Sequence, residues 1–184
     1  MKKLCIIGHF GFGQNLLNGQ TIKTKIITAE IEKKFGKENV QLLDLAGGIK
    51  RIPGLLWVIP KMLRRCDDVV IMPVENGLRF LTPVLGFWNH FFQKKLHYVV
   101  IGGWLPQFLQ KRKHLAKALK GFDAIYVETN TMKAALEAQG FENIFVMPNC
   151  KKLEVLSEDE LVYPQGLPLK LCTFSRVMKE KGIG

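Results

Sequence analysis

Nowhere in the 184 residues do two cysteines form a C-x-x-C pair, and the four present, Cys5, Cys66, Cys150 and Cys172, stand far apart. With no secretory leader opening the sequence, this spacing argues against a disulfide framework and for a reduced, cytoplasmic setting in which the thiols are small buried hydrophobes. It also argues against zinc, whose sites need clustered Cys and His, so no metal is expected. Long apolar runs are missing too: a membrane-crossing helix needs roughly eighteen such residues. The best candidates, residues 52–63 and 81–92, are broken by Pro60, Lys61, Pro83, Asn89 and His90. Acidic residues are scarce, 16 Asp and Glu against 27 Lys and Arg, leaving a formal charge of +11. Such an excess attracts phosphates of some kind, whether nucleotide, nucleic acid or anionic lipid, without choosing among them. No fixed-period repeat or low-complexity tract is present, which removes solenoid and collagen-like architectures.

What is present is the composition of a soluble globular protein, 47% hydrophobic and 23% charged. Apolar, β-branched runs recur at residues 4–8, 40–45, 69–73, 98–102, 124–128 and 144–148. Near-continuous apolar strands belong to a parallel sheet covered on both faces. Helical patterns fall between them, at residues 20–35, 53–65, 78–93, 109–119 and 131–139. In the first, Ile27, Ile31 and Phe35 recur every four residues beside Thr24 and Thr28. Lys23, Glu30 and Lys34 read as a charged flank, and Gly36 as the stop. Six strands alternating with five helices predict an α/β fold, a doubly wound parallel sheet of Rossmann-like type, over residues 1–150. Residues 151–168, with Pro164, Gly166 and Pro168, read as a linker. Residues 169–184 then open a second domain whose first strand is expected at residues 170–174, with the rest of that domain truncated.

Ligands of a doubly wound sheet bind outside the carboxyl ends of its strands, where glycine lets backbone approach closely. The loop after the first strand carries His9, Gly11, Gly13, Gly19 and Gln20 and is the expected ligand-facing segment. It is not a P-loop, because Gln14 and Asn15 stand where Lys and Ser or Thr are needed. As a dinucleotide fingerprint it lacks the third glycine, Leu16 standing there, although Asp44 after the second strand imitates the ribose-binding acid. His9 is a candidate acid, base or phosphate donor, or else a histidine bonded within its loop. Asn76 after the third strand and Gly103 and Trp104 after the fourth fall on the same edge. There Asn76 suits a hydroxylated substrate, and Trp104 offers a stacking face or simple packing. Glu128 and Thr129 follow the fifth strand, and Thr129 or Asn130 is placed to cap the next helix.

Residues 51–65 and 78–95 mix apolar and aromatic bulk with flanking Lys and Arg, which suits either a helix lying on an anionic lipid surface or a core helix of the layer. In the closing run, Arg176 and Lys181 bracket a short turn after a strand. A guanidinium, an ammonium and helix-start amides converging there would hold a diphosphate.

Three stretches then carry a resemblance: the glycine-rich loop leading into GQTIKTK at residues 19–25, VMPNC at residues 146–150, and FSRVMKEKG at residues 174–182. Together they resemble the N-terminal half of a GT-B-fold glycosyltransferase of family 4, whose members build surface polysaccharides and glycolipids. The resemblance implies that Arg176 and Lys181 bind the diphosphate of a nucleotide-sugar donor and that residues 1–150 receive the acceptor, a saccharide or lipid-linked sugar. It further implies retention of anomeric configuration, no metal and no cofactor beyond the donor substrate. Gly102, Gly103 and Trp104 occupy the region where many members carry a sugar-contacting histidine, so no catalytic residue is assigned. By the same resemblance the family's later acidic motif would lie past Gly184, and the 184 residues alone are expected to be inactive. A cytoplasmic protein, peripheral at the inner face of the membrane, follows from this reading. The alternative is a non-enzymatic basic α/β module that binds anionic lipid or nucleic acid. No nucleic-acid-reading motif is present, and nucleic acid is not the expected partner.

Overall fold

The computed structural model describes residues 2–13, 18–46, 52–149 and 157–160. The chain divides into two compact units, Met1–Asn149 and Cys150–Gly184. In the second unit the described residues form one short 3-10 turn, Glu158–Glu160. The expected linker otherwise, the strand at residues 170–174, Arg176 and Lys181 lie outside the described residues.

The first unit runs β1 (Leu4–Gly8), α1 (Gly19–Phe35), β2 (Val40–Asp44), α2 (Ile52–Leu63), β3 (Asp68–Met72), α3 (Glu75–Phe92), β4 (Lys95–Val99), α4 (Leu105–Gln110), α5 (Lys113–Lys120), β5 (Ala124–Val127), α6 (Asn130–Glu137) and β6 (Ile144–Val146). The six strands form one all-parallel sheet in the order β2-β1-β3-β4-β5-β6. The doubly wound α/β fold read from the alternation of apolar runs and helical patterns is thus present. β1 and β3, flanked by strands on both sides, are buried along their whole length.

Because β1 steps one way to β2 while β3 through β6 step the other way, right-handed crossovers put α1 on one face and the remaining helices on the other. Two cores follow. One, under α2 to α6, gathers Ile7, Ile71, Leu78, Leu85, Tyr98, Leu119 and their neighbours. The smaller, under α1, holds Ile6, Phe10, Val70, Met72 and Val99, with Ile27 and Ile31 packed on it. Cys5 and Cys66 are buried free thiols, as small hydrophobes would be.

Local chemistry sets the ends. Asn18 caps α1 by accepting the Thr21 amide at 2.9 Å, and Gly36 stops it at φ +86°, as its position implied. Thr129 caps α6 through the Met132 amide.

Three expectations are corrected. The helix expected at residues 109–119 is two helices, α4 and α5. The break falls at Arg112, whose guanidinium covers the Phe108 ring at 3.9 Å and donates to the Phe108 carbonyl at 3.0 Å. No Gly or Pro marks that break; the backbone leaves the helix at Lys111 and Arg112, and Arg112 folds its side chain back over the preceding turn. The fourth strand begins at Lys95 rather than residue 98: Lys95 is exposed, while His97 stacks on Tyr126 and lies 3.4 Å from Asp68 Oδ2. Lys23 is no solvated flank: only 7% of it is exposed.

Candidate functional site

The strand order reverses between β1 and β3, so the crevice outside their carboxyl ends is where this topology places a ligand. α1 closes on β1 there at short range, because Gly8 leaves room for Thr24. The face of α1 turned to the sheet buries Thr21, Lys23, Thr24 and Thr28 beside the partly buried Ile27 and Ile31.

The loop after β1 is organised by one carboxylate. Asp44, the last residue of β2, accepts the amides of Phe10 at 2.8 Å, Gly11 at 3.3 Å and Ala46 at 2.9 Å on Oδ1, and that of Phe12 at 3.0 Å on Oδ2. Burial pushes the Asp44 carboxyl up, but these four amides outweigh it and hold the group below the usual carboxylate range. Gly11 and Gly13 take φ of +62° and +78°, the left-handed values that let the loop wrap the carboxylate. Gly11 therefore serves Asp44. In a phosphate-binding loop those same N–H groups would face the ligand.

Above this turn Phe12 stacks flat on buried Phe10, ring centroids 5.1 Å apart, and leaves 59% of itself exposed at the loop tip. His9 is half-buried, its Nδ1 hydrogen-bonded to Thr21 Oγ1 at 3.0 Å, which leaves Nε2 for another partner. Gly19 and Gln20 form the first turn of α1. Asn76, expected in a turn, lies in the first turn of α3, exposed beside Glu75. His9 and Asn76 thus follow the two strands that flank the crevice. Gly103 and Trp104 stand one strand further along, after β4. Trp104 donates its indole N–H to the Ile101 carbonyl at 2.8 Å and meets the Phe108 ring edge-on at 5.0 Å, beside Gly102 at φ +85°.

Lys23, read from the pattern as a charged flank, also reaches this edge, where it meets Glu128, which the pattern placed there after the fifth strand. Lys23 Nζ stands 2.6 Å from Glu128 Oε1 and 3.4 Å from the Val100 carbonyl. It joins α1 to the ends of β4 and β5. The signal available in the sequence was a lysine in the apolar stripe Lys23, Ile27, Ile31.

Elsewhere, a shallow groove of about 480 Å³ between α4, α5 and Gln139 just past α6 is edged by Lys113, Lys117 and Lys120. These are exposed lysines of the helical layer, away from the carboxyl ends of the strands. α2 and α3 pack together and present Trp57, Phe80, Phe87 and Phe91 to solvent, with Lys61, Arg64, Arg65 and Arg79 exposed on the same helices or just beyond α2. Among the described residues no helix is long and apolar enough to cross a membrane, and no three His, Cys, Asp or Glu side chains gather as metal ligands would.

In comparisons with known proteins, no family model and no curated sequence matches this chain.

Proposed function

We propose that Met1–Asn149 is the acceptor-binding domain of a glycosyltransferase that transfers a sugar from a nucleotide-sugar donor to a saccharide or lipid-linked acceptor. The observation that carries this reading is Asp44 taking the loop amides of Phe10, Gly11 and Phe12. A Rossmann-like domain that held a diphosphate at this edge would need those donors free. What the edge offers instead is an exposed aromatic face at Phe12, the imidazole of His9 and the amide of Asn76. These groups suit sugar rings and hydroxyls rather than phosphate.

The donor diphosphate is assigned to Arg176 and Lys181, in the basic run whose sequence resembles the family element. Cations there would stabilise charge on the leaving diphosphate without a metal, while the first domain orients the acceptor hydroxyl. Retention of anomeric configuration belongs to the same proposal. The exposed aromatic and basic side chains of α2 and α3 support a cytoplasmic enzyme peripheral at an anionic membrane.

The test uses the complete gene product with a panel of nucleotide sugars and lipid-linked saccharides. Turnover should fall about a hundredfold or more in Arg176→Ala and Lys181→Ala. Unchanged turnover in both, or no sugar transfer by the wild type, overturns the reading. The same α2 and α3 surface also favours a second reading, a non-enzymatic module that binds anionic lipid. That alternative gains if vesicles bind and no donor is turned over.

A further inference from the structure

Lys23 and Glu128 form an ion pair at the carboxyl edge of the sheet, their side chains 8% and 18% exposed. Taking two charges out of water costs several kcal/mol per ion before their attraction is counted, so apolar side chains would hold α1 to the sheet at least as well. The arrangement is also lopsided. Lys23 spends its ammonium on Glu128 Oε1 at 2.6 Å and on the Val100 carbonyl at 3.4 Å. Glu128 Oε2 has no hydrogen-bond partner among the described residues. The backbone on either side is fixed. Val100 donates its amide to the Tyr126 carbonyl at 2.9 Å, and Thr129, next to Glu128, caps α6 through the Met132 amide at 3.2 Å. The result is a carboxylate pinned at one oxygen, with the other engaged by none of the described residues, just past the end of β5.

We propose that Glu128 is a saccharide-binding residue whose Oε2 accepts a hydrogen bond from an acceptor hydroxyl, and that Lys23 is the positioning residue that fixes its orientation. This inference rests on the acceptor-domain reading above and adds the residues that hold the acceptor. A sugar hydroxyl donating to an ionised, immobilised carboxylate makes the stronger class of hydrogen bond, and the rotamer is ordered before the ligand arrives. Lys23 approaches from α1, the helix that also carries Thr21, the partner of His9. One helix therefore positions both the imidazole after β1 and the carboxylate after β5.

The experiment is saturation-transfer NMR and calorimetric titration of the chain with a panel of methyl monosaccharides and methyl disaccharides, alongside thermal unfolding. Wild type should bind at least one glycoside, and Glu128→Gln should weaken that binding roughly tenfold or more. Lys23→Arg should retain most of it. Because Glu128→Gln leaves a buried ammonium partly unpaired, the Lys23→Met/Glu128→Gln double variant separates folding from recognition. It removes both charges and should recover the melting temperature to within about 2 °C of wild type. Binding still lost in a stable double variant supports the proposal. Binding restored with stability shows a purely structural pair and overturns it. If the wild type binds no glycoside at all, the acceptor-domain reading falls and takes this assignment with it. If it binds and Glu128→Gln binds equally, only the assignment falls.

Discussion

A methyl group added at Gly8 would stand 2.7 Å from Thr24 Cγ2, closer than two carbons approach. That contact sets the distance between α1 and the end of β1, and with it the position of the helix start beside His9. Thr24 is fully buried and β-branched, so its side chain has little freedom to move aside. Gly8→Ala should lower stability by about 1 to 3 kcal/mol. Thr24→Ser removes the clashing methyl, and the Gly8→Ala/Thr24→Ser pair should recover a measurable part of the loss in urea denaturation. A Gly8→Ala variant as stable as wild type would show that the helix can lift without cost.

Asp44 predicts an acid-sensitive loop. Its folded pKa is depressed, so its contribution is complete above the ordinary value of 3.8 and is lost as pH falls through the lowered value of the folded protein. The amide resonances of Phe10, Gly11 and Phe12 should move together in that acid window and should not titrate in Asp44→Asn. Asp44→Ala should cost about 1 kcal/mol, reduced from the usual charged hydrogen bond because the carboxylate is partly exposed. Independent titration of the three amides would break the link to one carboxylate.

Trp104 is anchored by its N–H on the Ile101 carbonyl and by the Phe108 ring. Trp104→Phe should keep most of the packing and lose about 1 kcal/mol with the hydrogen bond. Glycoside affinity should change less than twofold if packing is its whole role. A larger loss of affinity at unchanged stability would make Trp104 a stacking surface.

Trp57, Phe87 and Phe91 expose 75%, 61% and 65% of their surface. Replacing all three by Ala should leave the melting temperature nearly unchanged, since surface substitutions move stability by about 0.5 kcal/mol or less each. Sedimentation with phosphatidylglycerol vesicles should fall roughly tenfold. Binding by the wild type should weaken as salt rises, because Lys61, Arg64 and Arg65 meet a screened surface. Equal sedimentation of triple variant and wild type would remove the membrane surface from α2 and α3.

The apolar runs were legible because a parallel sheet covered by helices has to bury both sides of its central strands. LCIIG and VVIMP carry that requirement in their composition, and it survives wherever the strands sit. Gly36 and Thr129 were equally legible, since a helix stop and a helix cap are decided within a few residues of chain. The start of β4 was not. Lys95 precedes the apolar run and joins the strand only through its pairing with Asp68 of β3.

The same distinction separates the residues of the edge. The sequence determined that a glycine-rich loop with His9 follows the first strand, because local backbone freedom and strand periodicity are properties of short windows. Only the tertiary structure decided what that loop does. Asp44 lies 34, 33 and 32 positions from the loop amides of Phe10, Gly11 and Phe12, and Lys23 meets Glu128 across 105 positions of chain. Such pairings arise from strand order and helix placement, which bring distant residues to one edge of the sheet, and no local pattern of residue types encodes them.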